Sequence, residues 1–257
     1  VDFNVSFTRE GDIADDYRID AASETIAYLR QSGARVVLGS HLKRDKKEVS
    51  LKPVSEYLQH SIPHVFIENY PSSEAQSIID GLDEGAVALL ENIRLQKGEV
   101  ENEPEYAQRL AALFDMYVNE AFSDAHRPHA SVVGVPKHCP HYAGIQFARE
   151  VARLSEAFDP PRPFLFVLGG AKFETKIPLI EKFLDRADTV FVGGALAHNY
   201  LKARGYEIGR SCVADGEFDC ADDLENQSLM LPIDVVVEGA GRRRIREVDE
   251  IKESEAI

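Results

Sequence analysis

The sequence predicts an α/β protein with two doubly wound parallel-sheet domains that are joined by a helix, the second domain being incomplete. Short hydrophobic runs alternate with segments of helical periodicity along the whole chain. This β-α-β-α order is typical of a parallel sheet covered by helices on both faces. A proline-rich stretch at residues 159–163 interrupts the series and indicates a domain boundary.

In the first half, hydrophobic runs predict strands and periodic segments predict helices. The first helix depends on Ala22, Ile26 and Leu29 at helical spacing, and Gly33 closes it. The second has Pro53 in its first turn. The predicted helices are residues 20–32, 51–58, 73–79 and 104–114. The predicted strands are residues 36–38, 65–67, 87–90 and 116–118, after a strand-like start at residues 1–4.

The second half begins with an amphipathic helix and continues as a shorter α/β series. The helix is predicted at residues 147–158, and later helices at 177–184 and 196–204. The strands are predicted at residues 164–168, 189–192 and 233–237. Three strands would leave an exposed sheet edge, so we expect this domain to be incomplete. The expected organisation is a first domain at 1–146, a helix and linker at 147–163, and a partial domain at 164–257.

Composition narrows the function classes. The 257 residues include 29 Lys+Arg against 44 Asp+Glu, a formal charge of −15, which argues against a nucleic-acid partner. No apolar run approaches the ~18–20 residues of a membrane helix. The chain opens without a signal peptide or an initiator Met, which suggests a missing N-terminal piece. Three cysteines without zinc-site spacing favour a reduced setting. We expect a cytoplasmic monomer without a membrane partner.

Four arginines stand near the predicted strand ends of this acidic chain. They are Arg18, Arg44, Arg94 and Arg127, and His41 lies close to one of them in sequence. In an open parallel sheet, ligands bind beyond the carboxyl ends of the strands, and the arginine fork suits phosphate. These residues therefore indicate an anion site. The alternative is that each arginine pairs separately with a surface carboxylate, which is the common fate of a single arginine.

Two glycine pairs follow strands in the second half. Gly169-Gly170-Ala171-Lys172 and Gly193-Gly194-Ala195 each link a predicted strand to a helix. Glycine permits a close backbone approach, and helix N-termini favour phosphate. Lys172 and Lys176 lie near a helix start, where a cation is unfavourable unless an anion offsets it. Tight turning is the ordinary alternative, and the P-loop motif is absent.

Seven segments together resemble phosphoglycerate kinases, in the order of that family and over nearly the whole chain. Residues 90–94 spell LENIR and residues 125–131 spell AHRPHAS, for example. The segments are residues 1–5, 40–44, 90–94, 118–122, 125–131, 168–172 and 205–209. The resemblance implies a Rossmann-like, hinge-bending kinase of glycolysis and gluconeogenesis. Such enzymes transfer a phosphoryl group between 1,3-bisphosphoglycerate and ADP, giving 3-phosphoglycerate and ATP, with Mg²⁺ bound to the nucleotide.

The resemblance also assigns roles to individual residues. Asp2 and Asn4 match contacts to the glycerate, and Arg18 matches the arginine that stabilises the phosphoryl group in transfer. Lys172 matches a lysine that joins the transition state. The residues that match the basic patch around the non-transferred phosphate are His41, Arg44, Arg94 and Arg127. The residues that match nucleotide contacts are Lys176, Gly193, Gly194 and Ala195. No residue of the chain is predicted to ligate a metal.

Several positions depart from the family pattern. Lys43 and Asp45 replace Gly and Pro in the loop after His41, Glu120 replaces Asp, and Ala195 replaces Gly. Ser123-Asp124 replaces Gly-Thr. The chain has no tryptophan and no late Gly-Gly-Gly-Asp-Thr turn. We therefore expect a fragment that binds 3-phosphoglycerate but lacks measurable transfer. The alternative is a non-catalytic remnant that binds phosphorylated metabolites.

Two other clusters have ordinary interpretations. His138-Cys139-Pro140-His141 has metal-ligand residue types, but nearly adjacent ligands in a proline-broken loop suit a tetrahedral site poorly. Arg242-Arg243-Arg244 is predicted to be a solvated turn. We assign neither cluster to a functional site.

Overall fold

The computed structural model describes residues 1–171, 173–213 and 221–257. The chain divides into two compact units, unit 1 at Val1–Leu154 and unit 2 at Ser155–Ile257. Helix α6, Ile145–Glu156, includes the boundary. Each unit contains parallel strands alternating with helices, so the predicted α/β class is confirmed. Within the described residues, no helix combines the length and apolar character needed to cross a bilayer.

Unit 1 is built on a parallel sheet of three strands in the order β3-β7-β6. The strands are β3 at Val36–Leu38, β6 at Val65–Ile67 and β7 at Val87–Leu90. All four residues of β7 are buried, and they alternate between two cores. Val87 and Leu89 join the core under α1, and Ala88 and Leu90 join the core that contains Ile79 and Leu110. The hydrophobic run is therefore a reliable strand signal because both faces are covered.

Side-chain oxygens accept hydrogen bonds from backbone amides at the start of two helices of unit 1. Ser72 caps α3 by accepting a 3.1 Å hydrogen bond from the amide of Ala75. The carboxylate of Glu91, just after β7, accepts a 2.7 Å bond from Leu51 N at the start of α2. The helices are α1 at Tyr17–Gln31, α2 at Lys52–Leu58, α3 at Ser73–Asp80, α4 at Lys97–Val100 and α5 at Pro104–Ala111.

Short paired strands complete unit 1. Strand β8 pairs in parallel with β9, and the other two pairs are antiparallel. The strands are β1 at Ser6–Phe7, β2 at Ile13–Asp15, β4 at Lys43–Arg44, β5 at Lys47–Glu48, β8 at Tyr117–Asn119 and β9 at His141–Ala143. The strand-like start predicted at residues 1–4 is wrong, because the first strand begins at Ser6 and is paired by a hairpin.

Unit 2 contains a parallel sheet in the order β10-β11-β12 and an antiparallel hairpin. Helices α7 and α8 and the hairpin contribute to one core around Ile180, Tyr200 and Val237. The strands are β10 at Leu165–Leu168, β11 at Thr189–Val192, β12 at Leu229–Met230, β13 at Asp234–Gly239 and β14 at Arg242–Glu247. The helices are α7 at Ile177–Leu184, α8 at Ala195–Ala203 and α9 at Ala221–Glu225.

Two predictions for unit 2 need correction. The strand predicted at residues 233–237 is present as β13, but it pairs in the antiparallel hairpin β13-β14, and the third strand of the parallel sheet is β12. Arg242-Arg243-Arg244 is strand rather than turn, and the turn lies at Ala240 and Gly241, which have φ of 51° and 70°. The reason is that β14 is polar and largely exposed, so backbone pairing with β13 stabilises it without a hydrophobic signal.

Candidate functional site

Three loops of unit 1 meet at the carboxylate of Asp124. His41 follows β3, Arg94 follows β7, and Asp124 and Arg127 follow β8. Asp124 Oδ1 accepts from Arg94 Nη2 at 2.7 Å and from Arg127 Nε at 2.9 Å. Its Oδ2 lies 3.2 Å from His41 Nδ1. Three of the predicted anion-binding residues thus converge on one point, and a carboxylate occupies that point.

Burial strengthens these contacts. The side chain of Arg94 is 9% exposed and that of His41 is 7% exposed, whereas Arg127 is 45% exposed. Charge-assisted hydrogen bonds of this kind are shorter and stronger than neutral ones. Arg94 Nε is one of three buried nitrogen or oxygen atoms without a hydrogen-bond partner in the side chains that the structure describes. The cluster therefore retains a buried donor without a partner.

The protonation states follow from burial and neighbouring charge. Burial lowers the pKa of His41, and Arg94 lowers it further, although Asp124 opposes them. Burial alone would raise the pKa of Asp124, but His41 and the hydrogen bonds from Arg94 and Arg127 outweigh burial and lower it. At neutral pH, Asp124 is an anion between two guanidinium groups, and His41 is neutral.

Asp2 carries the second buried carboxylate of the site. Its Oδ2 accepts hydrogen bonds from Arg18 Nη1 and from Ser123 Oγ. Its Oδ1 accepts a 3.1 Å hydrogen bond from the backbone amide of Asn4. The two predicted residues Asp2 and Arg18 are therefore an ion pair, and Ser123 links this pair to the loop that carries Asp124.

The side chain of Asn92 links the segment around β4 and β5 to the loop that carries Arg94. It is fully buried, and its Nδ2 donates to Leu42 O at 2.8 Å and to Val49 O at 2.7 Å. Its Oδ1 accepts a 2.9 Å bond from Arg94 N. This single amide ties the segment around β4 and β5 to the turn that positions Arg94, and it satisfies buried backbone groups that would otherwise be costly.

A second buried carboxylate network lies near this cluster. Glu99 is fully buried and accepts 2.8 Å and 2.5 Å hydrogen bonds from Ser131 N and Ser131 Oγ. His129 Nδ1 lies 3.9 Å from Glu99 Oε1. Burial raises the pKa of Glu99, although the bonds from Ser131 oppose it. Glu99 thereby anchors the segment that follows Arg127.

Arg44 has a different neighbour. It lies on the exposed strand β4, and its guanidinium carbon is 5.3 Å from the centre of the Phe7 ring. The amide of Lys43 donates a 2.9 Å bond to Asn4 Oδ1. Asp45 and Lys46 have φ of 49° and 66°, which makes the turn between β4 and β5. Arg44 thus lies on the β4-β5 hairpin, and Asn4 contacts that hairpin through Lys43.

One cluster of the described residues has metal-ligand geometry. Ligand atoms of Asp2, His41 and Asp124 lie within 4.8 Å of one another. Arginine donors already face both carboxylates, so cationic side chains compensate the negative charge that would attract an ion. We assign the cluster to charge pairing.

The predicted nucleotide-binding residues lie in, or directly after, the two loops of unit 2 that join β10 to α7 and β11 to α8. A Cβ at Gly169 would lie 3.7 Å from Gly193 O, so the two glycine loops are adjacent. Gly194 has φ 59° and directly precedes α8, which begins at Ala195. Lys176 directly precedes α7. Lys172 lies outside the described residues. Lys176, Gly193, Gly194 and Ala195 supply donors for phosphate but no carboxylate for Mg²⁺, so they do not fit a directly bound ion.

Sequence reasoning missed Asp124, Asn92 and Glu99 as parts of this region. For Asp124 a signal was present, since an acidic residue stands three positions before Arg127 where the related pattern has Thr. Asn92 and Glu99 gave no comparable signal, because their roles depend on contacts with Leu42, Val49 and Ser131 that lie 32 to 50 positions away.

Comparison with known proteins supplies independent information. The phosphoglycerate kinase of Prochlorococcus marinus strain MIT 9211 is 41% identical over 251 residues, which are 92% of this chain and 62% of that protein. That of Herpetosiphon aurantiacus is 42% identical over 253 residues, covering 93% and 64%. The chain therefore spans somewhat less than two thirds of the length of these curated relatives.

Solved structures agree with the sequences. Phosphoglycerate kinase from Coxiella burnetii superimposes with a TM-score of 0.82 at 35% identity, covering all of this chain and 69% of that one. Phosphoglycerate kinase from Pyrococcus horikoshii OT3 gives a TM-score of 0.82 at 29% identity, covering 98% and 68%. The family model described as phosphoglycerate kinase matches residues 1–257. This chain belongs to the phosphoglycerate kinase family.

Proposed function

We propose that a protein carrying this sequence catalyses reversible phosphoryl transfer between 1,3-bisphosphoglycerate and MgADP, giving 3-phosphoglycerate and MgATP. Unit 1 would hold the glycerate substrate, and the glycine loops of unit 2 would hold the nucleotide. The observation that carries the proposal is the convergence of His41, Arg94 and Arg127 within hydrogen-bonding distance of one anionic group. Family membership supports the choice of substrate class.

The roles follow from charge. Arg94 and Arg127 would bind the phosphate that is not transferred, because each can donate charge-assisted hydrogen bonds to its oxygens. Asp2 and Asn4 would orient the hydroxyl and carboxylate of the glycerate. Arg18 would exchange its bond to Asp2 for the phosphoryl group in transfer. Phosphoryl transfer depends mainly on positioning and charge neutralisation, so these residue types suffice on the glycerate side.

On the nucleotide side, Lys176 and the amides around Gly193 and Gly194 would bind phosphate oxygens, and Ala195 would lie beside the base. Lys172 would neutralise the transferring group. Mg²⁺ would arrive as part of the nucleotide substrate. It would supply charge neutralisation there, and the residues of this chain would orient the phosphates around it.

Calorimetric titration with 3-phosphoglycerate tests the glycerate site. Arg127→Ala should weaken binding by roughly 10- to 100-fold, because a lost hydrogen bond to a charged group costs about 1.5–3 kcal/mol. The control is Arg149→Ala, which removes an exposed arginine paired with Glu24 in the same unit. It should leave the affinity within about twofold. Equal affinities for the two variants would contradict the assignment.

A kinase assay separates the two candidate functions. The 257-residue chain is supplied with MgATP and 3-phosphoglycerate, and ADP formation is followed. Turnover supports the kinase. Binding of 3-phosphoglycerate without turnover is the result expected of this chain and agrees with both candidates. The same assay on a longer protein that carries this sequence then separates them, because turnover there supports the kinase and binding without turnover supports a site that binds phosphorylated metabolites without transfer. Absence of both binding and turnover contradicts both candidates.

A further inference from the structure

We propose that Asp124 is an internal anion that competes with the phosphate of the ligand for Arg94, Arg127 and His41, and thereby sets the affinity of the site. The inference concerns the same site as the proposed function and rests on it for the identity of the ligand. Its physical basis, however, is the contact geometry of the Asp124 carboxylate. It makes Asp124 a residue that determines affinity and anion selectivity.

The contacts of Asp124 use donors that a ligand anion would need. Asp124 Oδ1 is shared by Arg94 Nη2 and Arg127 Nε, at 2.7 Å and 2.9 Å, and Oδ2 faces His41 Nδ1 at 3.2 Å. All three basic groups therefore point to the two oxygens of one planar carboxylate. A ligand anion cannot use the same donors while the carboxylate remains between them. Binding at this point requires displacement of the Asp124 side chain.

The Asp124 carboxylate does not satisfy all the donors around it. Arg94 Nε is buried and lacks a hydrogen-bond partner within the described part of the chain. A buried unpaired donor is unfavourable, and a tetrahedral oxyanion has more acceptor oxygens than a carboxylate. An incoming phosphate or sulfate can therefore gain contacts that Asp124 does not provide, which makes the exchange possible.

The charges of the site also favour competition between Asp124 and a ligand anion. Three arginines, Arg18, Arg94 and Arg127, face two carboxylates, Asp2 and Asp124. Arg18 is already paired with Asp2, so Asp124 removes much of the positive potential that Arg94 and Arg127 would present. Neutralising Asp124 frees both guanidinium groups for a dianion. Replacement of Asp124 should therefore tighten anion binding.

The opposing interpretation makes Asp124 a positioning residue. In that case its carboxylate holds Arg94 and Arg127 in the binding geometry, and loss of the charge disorders them. The two interpretations predict opposite changes in affinity, so a single measurement separates them. Inorganic sulfate is the best probe, because it is a dianion over the whole working pH range and has no glycerate part.

The experiment is calorimetric titration of sulfate, and separately of 3-phosphoglycerate, into wild type, Asp124→Asn and Asp188→Asn at low ionic strength. Asp188 is a matched control, because it pairs with Arg162 in unit 2. Asp124→Asn should bind sulfate about tenfold more tightly than wild type does, whereas Asp188→Asn should be unchanged. Circular dichroism verifies that each variant is folded.

Sulfate binding by Asp124→Asn that is weaker than or equal to that of wild type overturns the proposal. A second measurement needs no variant. Sulfate titrated into ¹³C-labelled wild type should shift the Cγ resonance of Asp124 and leave that of Asp188 unchanged, and the absence of a shift at Asp124 also overturns it. If sulfate binding tightens in Asp124→Asn but no variant binds 3-phosphoglycerate, the competition stands and the proposed function fails.

Discussion

Thr25 and Glu120 lie 95 positions apart in sequence, and their side chains are joined by a buried hydrogen bond at the start of α6. Thr25 Oγ1 donates to Glu120 Oε1 and accepts a 2.9 Å bond from Ile145 N. The Glu120 carboxylate accepts 3.0 Å bonds from the next two amides, at Gln146 and Phe147. Two side chains thus satisfy three consecutive donors of the helix that includes the unit boundary.

This arrangement predicts a coupled loss of stability. Thr25→Val should lower the free energy of unfolding by about 1–2 kcal/mol and Glu120→Gln by about 1–3 kcal/mol, since each weakens the hydrogen bonds that satisfy part-buried amides at the start of α6. The double variant should lose about 1 kcal/mol less than the sum, because the two residues share one network. Urea unfolding followed by circular dichroism measures these changes. Thr25→Ser retains the hydroxyl and is the control, and fully additive costs would contradict the network.

The lowered pKa of His41 predicts that the protein loses stability as the pH falls. Burial lowers its pKa in the folded state below the ordinary 6.5, so the unfolded chain takes up a proton first as the pH falls. The contribution of neutral His41 to the free energy of unfolding is therefore complete above the ordinary pKa of 6.5. It is lost as the pH falls through the pKa of the folded state. Between about pH 7.5 and about pH 5.5, wild type should lose more stability than His41→Gln. Equal losses in urea unfolding would refute the assignment.

Glu99 predicts the opposite pH dependence. Burial raises its pKa above the ordinary 4.5, so the folded state favours the protonated form. The contribution of protonated Glu99 to the free energy of unfolding is present below the ordinary pKa of 4.5. It is lost as the pH rises through the pKa of the folded state. Glu99→Gln should therefore gain stability relative to wild type between about pH 4.5 and about pH 8. A difference that stays constant over this range would show that the carboxylate does not titrate differently on folding.

Two glycines of unit 2 form a matched pair. Gly205 has φ 86° and no atom within 4 Å of the place that a Cβ would take, whereas a Cβ on Gly209, at φ 58°, would lie 2.1 Å from Glu255 O. Gly205→Ala should cost only the backbone strain, about 1–2 kcal/mol. Gly209→Ala adds a clash with backbone and should be clearly more destabilising. Thermal unfolding of the two variants gives the comparison, and equal costs would mean that the segment near Glu255 can move.

The elements that sequence reasoning locates well are the apolar strands of the two parallel sheets. Residues 36–38, 65–67, 87–90 and 189–192 are predicted with their observed bounds, because a short apolar run is typical of a strand in a parallel sheet. The polar hairpin β13-β14 is missed in part, since β14 gains its partner through backbone bonds alone. Short hairpins such as β4-β5 also lack an apolar signal.

The residues of the candidate site also differ in how far the sequence identifies them. The basic side chains His41, Arg94 and Arg127 could be selected from position and residue type. Their common partner Asp124 is marked in the sequence only by its place three positions before Arg127, and its contact with Arg94, 30 positions away, depends on tertiary packing. Residue type identifies what a site can bind, and tertiary packing determines what already occupies it.

Strand β7 is hydrogen-bonded on both sides, to β3 and β6, and carries Arg94 just beyond its end. In the part of the chain that the structure describes, β8 has β9 as its one strand partner, and it precedes Asp124 and Arg127. Amide hydrogens of β7 should therefore exchange with solvent only on global unfolding, and those of β8 through local opening. We therefore expect the anion cluster to join a slowly exchanging segment to a rapidly exchanging one, and we expect Asp124 and Arg127 to separate from Arg94 while the rest of unit 1 stays folded.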